Sequence, residues 1–143
     1  MANIVPFSFK GELASGTHNF ASGGNTFKLA LYTANPYTTS STVKVATSEV
    51  SSAGGSNYTA GGNTLTGQTV TASTATTAID FADTSWSSAT FTAAFGAIYD
   101  TSASDKLVVV LDFGGNKTAT NGTFTIAFPD PATPSNAIIS ITS

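Results

Sequence analysis

The chain contains no cysteine, which excludes a disulfide framework, thiolate chemistry and any cysteine-ligated metal centre, and leaves its stability to packing or to partners. It contains no arginine either. Its five cations are lysines scattered over 143 residues, and the net charge is -3. With no basic cluster to neutralise phosphates, direct nucleic-acid binding is not expected. Long apolar runs are also missing: no stretch approaches the ~20 residues that span a bilayer. Residues 1–7 lack both the basic start and the apolar run of a signal peptide. The expectation is a protein made in the cytoplasm, with no membrane association. Histidine occurs once, at His18, so a Ser-His-Asp arrangement has a single residue to draw on. The most telling scarcity is charge itself. Charged residues make up 9% of the chain, against ~25% in an average globular protein, and a domain that stays dispersed alone usually keeps that much ionic surface.

In place of charge the chain carries 43 serines and threonines. A surface of neutral hydroxyls and apolar atoms suits a protein that is covered by neighbours. At 143 residues one domain with one core is expected. No period of 20 to 50 residues repeats, which excludes solenoids and propellers.

Along the chain, Phe9, Leu13 and Phe20 fall near a helical repeat, Pro6 suits a first helical position and Gly16 a helix end. This predicts a short amphipathic helix over 6–15, in which Gly11 costs about 1 kcal/mol relative to Ala and docking must compensate. We read residues 1–20 as an N-terminal helical or extended arm and 21–143 as a single β domain. After Gly23-Gly24-Asn25 the period changes to two: Phe27, Leu29 and Leu31 point one way, Lys28, Ala30 and Tyr32 the other, as in a half-buried strand. Further strands are predicted at 43–45, 65–71, 77–81, 90–99, 106–113, 123–128 and 137–142, with turn residues between them. Residues 106–113 are apolar on both faces, which suggests a central strand, and Pro129, Pro131 and Pro134 mark the last connection as loop. Residues 33–67 read as long surface loops around one short strand and as a place for partner contact. The pattern as a whole argues for a mainly β chain: an antiparallel β-sandwich, Greek-key or jelly-roll-like, with a short N-terminal helix.

Candidate chemistry is thin. His18 at the helix exit fits a structural hydrogen-bonding role. Asp80 and Asp83 lack the facing geometry of a glycosidase acid pair, and an Asx turn ahead of Trp86 explains Asp83 more simply. The segment 100–105 alternates oxygen ligands, yet it lacks the glycine and distant glutamate of a calcium loop and reads as a hairpin loop. The glycine pairs precede no phosphate-cradling helix. Asn57, Asn116 and Asn121 match the glycosylation pattern, as chance allows in so threonine-rich a chain. No catalytic residue, metal ligand or cofactor is therefore assigned. Phe7 and Phe9 precede any strand, in a segment too short to fold alone, so they anchor either in this domain's core or in another chain.

Several segments resemble a family of small structural proteins of tailed-bacteriophage virions: Phe9-Lys10-Gly11-Glu12-Leu13, Gly16-Thr17-His18-Asn19-Phe20 and Asn25-Thr26-Phe27-Lys28-Leu29-Ala30-Leu31-Tyr32-Thr33, then Tyr58-Thr59-Ala60-Gly61-Gly62, Phe81-Ala82-Asp83-Thr84-Ser85-Trp86, Ala97-Ile98-Tyr99 and Val110-Leu111-Asp112-Phe113-Gly114. Residues 33–56 carry none of its motifs. The resemblance is strongest to capsid decoration, or cement, proteins. It implies a trimeric β-rich subunit on the capsid surface that stitches neighbouring major capsid proteins together, with Phe7, Phe9, Leu13 and Phe20 as expected partner-binding residues. A tail or neck component shares the same make-up. A carbohydrate-binding module using an exposed Trp86 or tyrosine, and a small glycosidase using Asp80 and Asp100, are the readings from other classes.

Overall fold

The structure is a computed structural model and describes residues 2–129 and 137–142. The described residues are mainly β, 46% of them in strand and 8% in helix. A helix, α1 (Phe7–Ala14), precedes seven strands: β1 (Phe27–Tyr32), β2 (Asn63–Thr64), β3 (Thr69–Ala72), β4 (Thr76–Asp80), β5 (Thr84–Asp100), β6 (Lys106–Ile126) and β7 (Ile139–Thr142). They form two antiparallel sheets, one of four strands in the order β2-β1-β5-β6 and one of three in the order β3-β4-β7. This is the β-sandwich that the alternating patterns predict.

α1 begins one residue later than expected, with Pro6 as its N-cap. It ends where Gly16 allows: at φ +76° this residue turns left-handed, its N–H bonds the Leu13 carbonyl, and the Thr17 N–H bonds that of Glu12. Those two bonds close a Schellman motif and satisfy the last helical carbonyls.

β1 is buried on both faces, not one. Phe27, Leu29 and Leu31 face a large core shared with Phe20, Ile79 and Phe81. Ala30 and Tyr32 face a second cluster with Tyr37, Tyr99 and Leu107. The second layer comes from residues distant in sequence, so the alternation in β1 gives no sign of it.

The stretches 106–113 and 123–128 are one strand. Gly114 and Gly115 have positive φ, but residues 113–116 bulge out opposite Ala94, and pairing resumes at Ala93 with Lys117. A bulge absorbs extra residues and bends the strand without ending it. β6 also lies at the end of its sheet, so it is not the central strand its apolar faces suggest. Its outer edge is covered in part by two straps. Ile4 exchanges both backbone hydrogen bonds with Val110, and the Leu107 N–H bonds the Thr42 carbonyl. The expected strand at 43–45 is thus a single bridge, Val43 to Lys106. The expected strand at 65–71 splits into β2 and β3 on either side of Leu65. Pro129 lies in irregular chain, while Pro131 and Pro134 fall outside the described residues.

Candidate functional site

Of the four expected partner-binding residues, the structure leaves one facing solvent. Phe9 and Phe20 are buried in the chain's own core, and Leu13 is partly buried against it. Phe20 stacks on Phe27 with ring centroids 4.5 Å apart. Phe7, by contrast, is 65% exposed, at the start of α1 and on the strap that covers β6. Its N–H bonds the Thr39 carbonyl, which ties the two straps together. Val5, Val43 and Val45 on these straps are also exposed.

His18 lies at the centre of a buried polar network, with none of its side chain exposed. Its Nδ1 stands 2.8 Å from Asp100 Oδ2 and its Nε2 3.0 Å from Glu12 Oε2. Asn25 donates to the same Asp100 oxygen, the Ser102 N–H donates to the other, and Lys106 Nζ reaches Glu12 Oε1 at 2.9 Å. The helix, the segment before β1 and the β5–β6 turn are joined by this one cluster. Burial by itself would raise the Glu12 carboxyl; the bonds from His18 and Lys106, with their charge, outweigh it and hold the group below the usual carboxylate range. Both ring nitrogens of His18 are occupied, so it has no free nitrogen to take a proton from a substrate. Asp100, with both oxygens engaged, is turned inward, away from any cation in its loop. Asp83 accepts from the Phe128 N–H and ties two chain segments together; the Asx turn expected there is not what it makes. Among the described residues no group of three His, Asp or Glu is placed to hold a metal.

A second network pins residues 33–62, which the sequence presents as loosely held loops. Glu49 accepts from Tyr58 Oη, the Gly61 N–H and Lys44 Nζ. Burial pushes its carboxyl up, and these three donors, Lys44 foremost, bring it below the ordinary range. Tyr37 donates to Tyr32 Oη, which donates to the Val45 carbonyl. The chain also approaches β1 closely at Gly62, where a Cβ would lie 1.8 Å from the Leu29 carbonyl oxygen. The glycine doublets of this segment were the only sequence signal of so close an approach.

The aromatic residues that a sugar-binding platform needs are inside. The chain has one tryptophan and four tyrosines, and Trp86, Tyr32, Tyr37, Tyr58 and Tyr99 are all buried. Trp86 packs edge-on against Phe91 and Phe124. An open groove of about 650 Å³ runs along the far half of β6, and its lining includes Phe113, Phe124, Ile126, Phe128 and Ile138. Its polar contributions come mainly from threonines, with Asp112 and Lys117. No helix among the described residues is long and apolar enough to cross a membrane. Comparisons with protein-family models, with curated proteins and with solved structures find no match.

Proposed function

We propose that this chain is a non-enzymatic structural subunit of a virion, a capsid cement or decoration protein that binds the lattice of major capsid proteins on the head surface as a homotrimer. One observation supports this reading above the others: the chain spends its few charges inside and leaves apolar side chains outside. Glu12, Lys106, Asp100, Lys44 and Glu49 are committed to the two internal networks, and Asp80 is buried as well. Of the 13 charged residues in the sequence, that leaves about half for the whole exterior. The exterior in turn carries Phe7, Val5, Val43 and Val45 on the straps over β6. Such a surface is poorly suited to a dispersed monomer and well suited to a subunit that makes many modest contacts on a repeating lattice. There, each further contact forms at high effective concentration once the first is made.

Phe7 is the residue we assign to capsid contact; Phe9 and Phe20 act by holding the arm that presents it. The test is the solution mass followed by binding to heads stripped of the subunit. A trimer that binds heads, with binding lost in F7S while the variant's melting temperature stays unchanged, is the expected result. A monomer that ignores heads overturns the proposal, and a ring of six or twelve moves the subunit to the tail or neck.

A further inference from the structure

The two sheets treat their edges differently. The large sheet ends on one side in the two-residue β2 and on the other in β6, which the straps cover over its first part and which carries Asp112 and Lys117 beyond them; short, covered or charged edges are how proteins block unwanted pairing. The small sheet has none of these protections. No described residue pairs with the outer side of β3 or of β7. The sequences along these edges, Thr69-Val70-Thr71-Ala72 and Ile139-Ser140-Ile141-Thr142, contain no charge and no proline.

Register shows what those edges carry. Val70 stands opposite Ile79, which stands opposite Ile139; Ala72 stands opposite Thr77, which stands opposite Ile141. Directly paired residues share a face, so all six lie on the face whose Ile79 and Ile139 enter the core. That face continues past the core at both margins, where Val70 is 49% and Ile141 48% exposed. The only ionisable group on the three strands is Asp80, and it is buried.

We infer that the small sheet is the subunit's self-association surface, with the β3 edge of one copy pairing with the β7 edge of the next. The occupant is a second copy because the two margins complement each other: each offers an open strand edge and one half-exposed aliphatic side chain on the same face, with no charge to oppose their approach. Head-to-tail pairing uses both edges at once and closes into a ring with none left over, whereas a foreign strand on one edge leaves the other open. The inference rests on the assembly reading above and gives it a surface distinct from Phe7.

The absence of cysteine makes the pairing directly testable. In a double variant V70C/I141C the two positions of one chain lie on opposite sides of β4 and two residues apart along it, about 12 Å from one another by strand spacing and rise, beyond the ~7 Å Cα separation a disulfide tolerates. Oxidation of the native variant is expected to give a covalent ladder ending at three times the 14.4 kDa of one chain. V70K and I141K are each expected to reduce the light-scattering mass to that of one chain with an unchanged circular-dichroism spectrum, while V45K keeps the wild-type mass. An oligomeric protein that forms no ladder, or whose mass survives both folded lysine variants, overturns the edge pairing and leaves the assembly reading to another surface. A monomeric wild type overturns the ring outright, and head binding then decides the virion reading separately.

Discussion

Replacing Asp100 by asparagine keeps the shape of a fully buried side chain and removes its charge. Asp100 accepts three hydrogen bonds: from His18 Nδ1 at 2.8 Å, from Asn25 Nδ2 at 2.6 Å, both on Oδ2, and from the Ser102 N–H at 2.9 Å on Oδ1. An amide can accept at one atom only. The best orientation puts its oxygen at the shared position and turns its NH₂ toward the Ser102 N–H, donor against donor. The new NH₂ at position 100 is then a buried donor without an acceptor, at about 1–3 kcal/mol, and the two surviving bonds fall from charge-assisted to neutral strength, at about 1 kcal/mol each. The expected loss is about 3–5 kcal/mol, the range found when one member of a buried ionic cluster is removed. For a chain of this size that corresponds to a drop of roughly 10–15 °C in melting temperature. Urea unfolding followed by circular dichroism, at matched protein concentration so that assembly does not contribute, measures it. A loss below about 1 kcal/mol would refute the view that this network, more than apolar packing, joins the helix to the β5–β6 turn.

Two glycines give opposite expectations. G62A forces a Cβ to within 1.8 Å of the Leu29 carbonyl oxygen at φ +76°, so soluble folded protein should be lost or the melting temperature should fall steeply. G11A meets nothing within 4 Å inside α1 and should add up to about 1 kcal/mol in the same unfolding assay. Stability should also be bounded in pH. The Glu12 and Glu49 carboxyls are depressed in the folded chain, so their contribution is present above the unfolded value of ~4.3 and is lost as pH falls through the folded ones. All four tyrosine hydroxyls are raised, by burial first; for them stability is present below ~10 and is lost as pH climbs. Unfolding free energy measured from pH 3 to pH 11 should show a plateau between these limits, flatter on the acid side in E49Q. Tyrosinate absorbance at pH 11 should stay well below that of the unfolded chain while the protein remains folded, since burial raises all four hydroxyls, that of Tyr99 to about 12.

The elements whose neighbours are close in sequence were legible. The helix could be read from Phe9, Leu13 and Gly16 because its face and its stop are both local. β4 and the alternation of β1 could be read for the same reason. What failed was the meaning of glycine within a strand: Gly114-Gly115 looks like a turn, yet in a hairpin as long as β5–β6 it is a bulge, and only the register of the partner strand distinguishes the two. The two ionic networks were illegible on similar grounds. His18 and Glu12 are six residues apart, but Asp100 and Lys106 arrive from a turn about 80 residues later, and nothing near them in sequence announces burial. Trp86 and the tyrosines carried the sugar-binding reading only while their exposure was unknown.

The placement of charge links stability to assembly. Segments 2–26 and 33–62 contain no strand of either sheet, and besides the core contacts of Phe9, Phe20, Val50 and Tyr58 each is fastened by a carboxylate with several partners, Glu12 with Asp100 in one and Glu49 in the other. A carboxylate used in this way is withdrawn from the surface, where a chain with 9% charged residues has few to spare. Protection against indiscriminate association then falls to backbone geometry, and among the described residues only the large sheet has it, with a two-residue strand at one edge and straps over part of the other. Among the described residues nothing pairs with the outer edges of the small sheet, which are uncharged and four residues long. Among the described residues β3 and β7 then remain as edges with neither a charge nor a strap, which is why the proposed self-association is assigned to them and not to β6, where Asp112 and Lys117 follow the straps.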